Sequence, residues 1–391
     1  MPDRVVESTV PWSRVIVLLC ALGGAACTAG GQPRGTGPLG GSAGAGSGGG
    51  VSGAGNMGPS SAGAGGVATT GAAGSSELDG AANGGAGGMD AGGSPDGSAG
   101  ARGAAGATVD GSAPGGMHVV GYLPNYNGSY ATWAKKLSFS KMTHLCLAFA
   151  LANTSNQWNM GASDADVKAI VDAAHAAGVK VLASLGGGGG DQTVLKQYNN
   201  ASSVGPLVDN LDTFLTAHNL DGADIDIESP GNLGPTFSTF VDKVVAKLHP
   251  EGKLVTAAVA QYLQDSMSDA TLHAFDFINV MIYSSLSQTM KDATYYVNTK
   301  KVPKEIVVLG AGFFGDGGNN EYAYADILKA DSMAWNKDTA TVGGTTVHYE
   351  GMATMKQIAD YSKGFGGIMI WELTEDTFDD HSLLKVIQGE M

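Results

Sequence analysis

Cysteine is scarce, with three in 391 residues. Cys20 and Cys27 fall near the N-terminus, and Cys146 stands alone in the remainder, inside an apolar run. No disulfide framework and no paired-cysteine metal site can be built from that set. Cys146 reads as a buried, inert thiol. Basic stretches are also missing, and the formal net charge is −15. A phosphate binder needs a basic face, so a nucleic-acid partner is excluded. The acidity itself reads as a means of solubility. None of the eight histidines falls in an HxH or HExxH pattern, which argues against a histidine-based metal site. The glycine run at 186–190 has no Lys-Ser or Lys-Thr after it, which argues against a phosphate-binding loop.

What is present divides into three parts. Arg4 and Arg14 precede the apolar run "VIVLLCALGGAA", which closes on Cys27. The run is too short for a stable membrane span and has the make-up of an export signal. A cysteine after "GGAA" resembles a bacterial lipoprotein processing site. That resemblance implies a lipid on Cys27, with Gly24 departing from the larger aliphatic residue usual there. Ordinary signal cleavage is the alternative, and either route exports the chain. Residues 1–27 are therefore assigned to the signal.

Residues 28–116 are Gly/Ala/Ser text such as "GGSAGAGSGGG". Such a chain cannot bury enough apolar surface to offset its ordering entropy, and it is predicted to be a disordered tether. A glycine-rich coil of this length spans roughly 50 Å root-mean-square. It carries no aromatic cluster that could serve as a carbohydrate-binding module.

From Met117 onward the text changes. Residues 117–391 hold eight candidate strands: "HVVGYLPNY", "THLCLAFA", "VKVLASLGG", "GADIDIE", "KLVTAAVA", "FINVMIYS", "EIVVLGAGF" and "GGIMIWEL". Helical stripes lie between them. One runs through Val167, Ile170, Val171 and Ala174, with Ser163 as its cap and Gly178 past its end. Another runs through Phe237, Phe240, Val241, Val244 and Leu248, opened by Pro235. Alternating strands and helices predict a parallel sheet. Eight such units, in a segment close to the roughly 250 residues typical of a barrel, predict a (β/α)8 TIM barrel.

The densest chemistry is in "DGADIDIESP", residues 221–230. Asp224, Asp226 and Glu228 alternate with Ala223, Ile225 and Ile227, so the acids share one face of a strand. In a parallel barrel both faces are buried, and the apolar set packs outward on helices while the acids point inward. Glu228 comes last, toward the C-terminal mouth where barrel active sites sit. Asp221 has the opposite parity and is expected to cap the start of the strand. Three carboxylates this close in low dielectric cannot all ionise freely, so at least one holds its proton near neutral pH. Catalysis, a divalent-metal site and a buried structural network are all consistent with the row taken alone.

The surrounding motifs resemble glycoside hydrolase family 18, the chitinase family. "DGADIDIE" fits the family's Asp-x-x-Asp-x-Asp-x-Glu signature with all four acids. Ser184 to Gly187, including Gly186, fits Ser-x-Gly-Gly, and Met281 to Tyr283 fits Met-x-Tyr. Gly121 and Tyr122 fit the first strand, Ala148 and Phe149 the second, and Trp371 the eighth. The matches keep the family's order across nearly all of residues 117–391.

The resemblance implies a retaining, substrate-assisted glycosidase without a cofactor. Glu228 would be the acid, Asp226 would orient the substrate's acetamido group, and Asp224 would exchange a proton with Asp226. Tyr122 and Ser184 would hydrogen-bond the inner acid, Tyr283 would donate to the acetamido oxygen, and Trp371 would floor the distorted sugar. Phe149 would pack the wall, Met281 would point inward with Tyr283 on the substrate side, and Gly186 and Gly187 would let the backbone approach. Chitin or its oligomers are the implied partner. An endo-β-N-acetylglucosaminidase acting on N-glycans is the alternative, and a chitin-binding lectin is disfavoured by the presence of Glu228. A monomer is expected, exported or held at the envelope by lipid. The chain departs from the family at Ser284, where an acid or amide usually follows the tyrosine. Residues 315–365 look short for the α+β insertion of some relatives, which predicts a shallow, open cleft suited to endo cutting.

Overall fold

The computed structural model describes residues 117–189, 191–228, 233–260 and 267–391. The export signal, Cys27 and the Gly/Ala/Ser segment lie outside the described residues. So does Gly190 of the glycine run.

The strands, in chain order, begin with β1 (His118–Pro124), β2 (His144–Ala152), the short β3 (Trp158–Asn159) and β4 (Lys180–Gly186). Next come β5 (Gly222–Asp226), β6 (Leu254–Ala260), β7 (Ile278–Met281) and β8 (Val307–Gly312). Then follow β9 (Phe314–Gly317), β10 (Asn320–Ala323), β11 (Thr339–Val342), β12 (Thr345–Tyr349) and β13 (Gly367–Trp371). The ring β1-β2-β4-β5-β6-β7-β8-β13 is parallel throughout, and β1 pairs with both β2 and β13, so the sheet closes. This is the eight-stranded (β/α)8 barrel. Seven of the eight barrel strands fall inside the apolar runs read from the sequence, and β2 extends past its run by Leu151 and Ala152.

Alternation along the strands produces two cores. Val119 and Leu123 of β1 and Ala223 and Ile225 of β5 join a large outer cluster with the helix side chains. Val120, Tyr122, Cys146, Leu182, Ala258, Phe277, Val308 and Met369 fill the barrel interior. The helix Asp164–Ala176 starts at Ser163, whose side chain accepts from Asp166 N, and Gly178 follows its end at φ +76°. The helix Pro235–Leu248 buries Phe237, Phe240, Val241, Val244 and Leu248 against the outer face. Each contributes roughly 1.5–3 kcal/mol relative to exposure, before conformational entropy is set against it. Truncating the fully buried Phe240 to Ala would cost about 3–5 kcal/mol.

Asp221 precedes β5 and accepts from Val181 N at 2.8 Å, from Lys180 Nζ at 2.8 Å and from His175 Nε2 at 2.7 Å. It joins strand starts at the end of the barrel opposite the mouth.

The segment between β8 and β13 is richer than its length implies. It forms a four-stranded antiparallel sheet in the order β10-β9-β12-β11, with the helix Tyr324–Ala330 between β10 and β11. A Gly343–Gly344 turn with φ of +57° and +86° joins β11 to β12, a pairing that suits a tight hairpin. The expectation of no α+β insertion is therefore corrected to a small one. Its strands are only four or five residues long, and polar residues and glycines hide them from a hydrophobicity reading.

Candidate active site

The acid row lies on β5 and its continuation. The strand ends at Asp226, and Ile227 and Glu228 extend just beyond it. Ile227 packs in the outer cluster with Ile225. Asp224 is fully buried, Asp226 is 2% exposed and Glu228 is half-buried. The row thus climbs from the sealed interior to the mouth.

Asp224 is held by four donors from four different strands. Tyr122 OH donates to Oδ2 at 2.7 Å and Ser184 Oγ to the same oxygen at 2.9 Å. Thr256 Oγ1 donates to Oδ1 at 2.7 Å and Asn279 Nδ2 to Oδ1 at 3.2 Å. Register explains the convergence, because Ser184, Asp224 and Thr256 are direct partners across β4, β5 and β6. Burial pushes the Asp224 carboxyl above its ordinary range, while the hydrogen bonds from Thr256, Tyr122, Ser184 and Asn279 oppose that rise. Burial also raises the Tyr122 hydroxyl, with Asp224 adding to it. Cys146, buried beside them, has its thiol raised by burial and by Asp224, as suits an inert side chain.

The glycine run brings backbone against the upper acids. Gly187 N donates to Asp226 O at 2.7 Å. Gly187 has φ +81°, and a Cβ there would stand 2.6 Å from the Phe149 ring. A Cβ on Gly188 would stand 3.1 Å from Glu228 Oε1. Gly186 closes β4 in register with Asp226. Glycine is required here by close approach as well as by backbone conformation.

Aromatic side chains form the rest of the mouth. Trp371, at the end of β13, lies 5.7 Å from Tyr122 and stacks at 5.7 Å on Phe149. The peptide bonds Ala148–Phe149 and Trp371–Glu372 are cis. Tyr283 and Met281 both pack against the inner cluster. The Tyr283 hydroxyl donates to Met369 Sδ at 3.8 Å, and its ring meets Phe314 edge-on at 5.6 Å. Burial raises this hydroxyl well above its ordinary value, and Asp226, Glu228 and Asp224 raise it further, so it stays a donor.

Other residues in and around the site escaped the sequence reading. Thr256 and Asn279 are inner-facing partners of Asp224 that only the register reveals. Glu372 is 2% exposed and is bound by Asn127 Nδ2 at 2.8 Å and Thr374 Oγ1 at 2.7 Å. Burial pushes its carboxyl up to about 7, and burial with Glu372 nearby pushes Glu375 up to about 9. Beside Tyr283, a pocket of about 300 Å3 is lined by Ser284, Phe314 and His348, with Asp316 and Glu350 from the inserted sheet. The sheet therefore walls one side of the cleft. Carboxylates enter there from the insertion, next to the position where Ser284 supplies none. Among the described residues no group of histidine, cysteine and acid side chains could hold a metal ion.

A model of glycosyl hydrolases family 18 matches residues 118–376. A solved chitinase of that family from the chitin utilization locus of Flavobacterium johnsoniae is 26% identical. Its TM-score is 0.63, over 70% of this chain and 93% of that one. A catalytic domain of an Ostrinia furnacalis chitinase, solved with penta-N-acetylchitooctaose, shares the fold at 18% identity. Its TM-score is 0.60, over 70% of this chain and 96% of that one. A chitinase-like effector of Moniliophthora perniciosa is 33% identical over 116 residues, 27% of this chain. The chain spans about a quarter of that relative's length. With barrel, acid row and family model in agreement, the chain belongs to glycosyl hydrolases family 18.

Proposed function

We propose that the barrel is a chitinase, cutting β-1,4 bonds between N-acetylglucosamine units with retention and with help from the substrate's own acetamido group. The observation that carries this reading is the row of Asp224, Asp226 and Glu228. It rises from full burial to a half-buried carboxyl at the mouth, and Tyr283 and Trp371 pack on the same inner cluster. Glu228 gives its proton to the glycosidic oxygen as the bond to the anomeric carbon breaks. The acetamido oxygen attacks that carbon from the opposite face, forming a cyclic oxazolinium ion. Asp226 accepts from the acetamido N–H and offsets the positive charge. The Tyr283 hydroxyl donates to the acetamido oxygen and holds it in line. Water then opens the ring at the anomeric carbon and returns a proton to Glu228, so the configuration is retained. This departs from the two-carboxylate scheme because the nucleophile belongs to the substrate. Trp371 offers its ring face to the apolar face of the sugar.

The chain is proposed to be exported, with Cys27 as its lipid attachment point and residues 28–116 as a spacer.

The test is product release from chitotetraose and from a high-mannose glycopeptide, with wild type and Glu228→Gln side by side. Cleavage of the chito-oligomer, lost in the variant, is the expected result. Cleavage of the glycopeptide alone would move the chemistry to N-glycan release. Binding of chitin without any cleavage would overturn the enzymatic reading.

A further inference from the structure

Asn279 lies on β7, in the sealed interior, and is 0% exposed. Its Nδ2 donates to Asp224 Oδ1 at 3.2 Å and to Tyr122 OH at 3.0 Å. Its Oδ1 is buried and accepts no hydrogen bond among the described residues. A buried acceptor left unsatisfied is costly, and a core position without function would favour an apolar side chain. Reversing the amide would set Oδ1 against the Asp224 carboxylate and remove both donations. The orientation is therefore fixed at some expense in stability.

The two donations have a directional consequence. An Asn N–H can only donate, whereas a hydroxyl can turn either way. Because Tyr122 OH accepts from Asn279, its own hydrogen is committed to Asp224 Oδ2. Oδ1 likewise receives a proton that cannot be reversed. Both oxygens of Asp224 then face committed donors. We infer that Asn279 is the positioning residue that fixes the direction of hydrogen bonding beneath the acid row, so that Asp224 stands as ionised acceptor and the one proton of the pair rests on Asp226. Asn279 touches neither cleft nor substrate and acts through Tyr122 and Asp224. The inference rests on the catalytic reading above.

The titratable groups facing Asp224 are Tyr122 from β1, Cys146 from β2, Tyr283 beyond β7, and Asp226 and Glu228 from its own segment. Ser184 and Thr256 add neutral hydroxyls from β4 and β6. The coupled pair Asp224 and Asp226 works with one proton between them, and activity falls as acid supplies the second. Taking away the Asn279 donors disfavours the ionised pair, so the second proton binds at higher pH.

The experiment is the pH dependence of kcat on chitotetraose for wild type, Asn279→Leu and Asn279→Ser, with a carboxyl 13C titration of aspartate-labelled protein alongside. In Asn279→Leu the acid limb is expected to move up by roughly one to two pH units. Below both limbs, kcat falls about ten- to hundredfold, roughly one decade for each pH unit that the limb moves. KM stays unchanged, and Asn279→Ser, with one donor left, falls between the two. A uniform loss of kcat at every pH, or an unmoved limb, would overturn the inference and leave Asn279 a packing residue. If Asn279→Leu does not fold, the serine variant decides by the same limb. If wild type cleaves no chito-oligomer, the chitinase reading fails. The 13C titration then still decides whether Asn279 governs the pair, an unmoved Asp224 and Asp226 transition counting against it.

Discussion

The two ends of the barrel treat aspartate and glutamate in opposite ways. At the N-terminal end Asp221 is met by Lys180, His175 and a strand N–H, and Asp276 by His249 at 3.1 Å and Val255 N at 2.7 Å. Burial raises Asp221, but the hydrogen bonds from Lys180, Val181 N and His175 outweigh it, and the carboxyl lies below its ordinary range. In the interior below the mouth, Asp224 is met by hydroxyls and one amide, and burial leaves it above that range. Glu372 and Glu375 are raised in the same way. Cations and N–H groups turn an acid into a fixed staple. Neutral donors and burial leave an acid above its ordinary range, as far as about 7 at Glu372.

Three substitutions sharpen this contrast. The largest effect is expected from Glu228→Gln, with kcat reduced roughly 10²–10⁴-fold and the melting temperature unmoved, measured by oligomer cleavage and calorimetry. A parallel fall in stability would mean that the mouth acids are staples too. Next comes Trp371→Ala, for which KM on chito-oligomers is expected to rise about tenfold through the lost stacking face. An unchanged KM would assign the indole to packing against Phe149 and Tyr122.

The smallest effect is expected from Glu375→Gln. Its folded-state carboxyl is raised from 4.5 to about 9, so the native state holds a proton that the unfolded chain gives up. Wild-type stability from this group is therefore intact below pH 4.5 and falls as pH rises toward 9. Glutamine removes that loss, so the variant's melting temperature should match wild type near pH 4 and exceed it by about 3 °C at pH 8. A variant less stable at pH 8 would show that the Glu375 charge is compensated.

Much of the barrel was legible because alternation and helical stripes report burial directly. The Ser163 cap, the Gly178 stop and the Phe237–Leu248 stripe all carry a local physical cause. The acid row could be read for the same reason, since parity alone sends Asp224, Asp226 and Glu228 to one face. Thr256 and Asn279 could not be read this way. Their sequence neighbourhoods are ordinary apolar strands, and only the register across β5, β6 and β7 sets them under Asp224. The bond from Asn127 to Glu372 joins loops 245 residues apart, which no local pattern encodes. The inserted sheet was hidden by short polar strands, although its Gly343–Gly344 turn is a usable hairpin signal.

The most direct test sets one acid from each end side by side. Asp224→Asn and Asp221→Asn would be compared for kcat on chitotetraose and for melting temperature. Asp224→Asn is expected to lose at least about 100-fold in kcat with the smaller change in melting temperature. Asp221→Asn is expected to keep its kcat at about 25 °C and to melt roughly 5 °C lower, having lost its pairing with Lys180 and His175. The reverse result, with Asp224→Asn active and Asp221→Asn inactive but undiminished in stability, would contradict the division of the barrel into a stapled end and a proton-handling end.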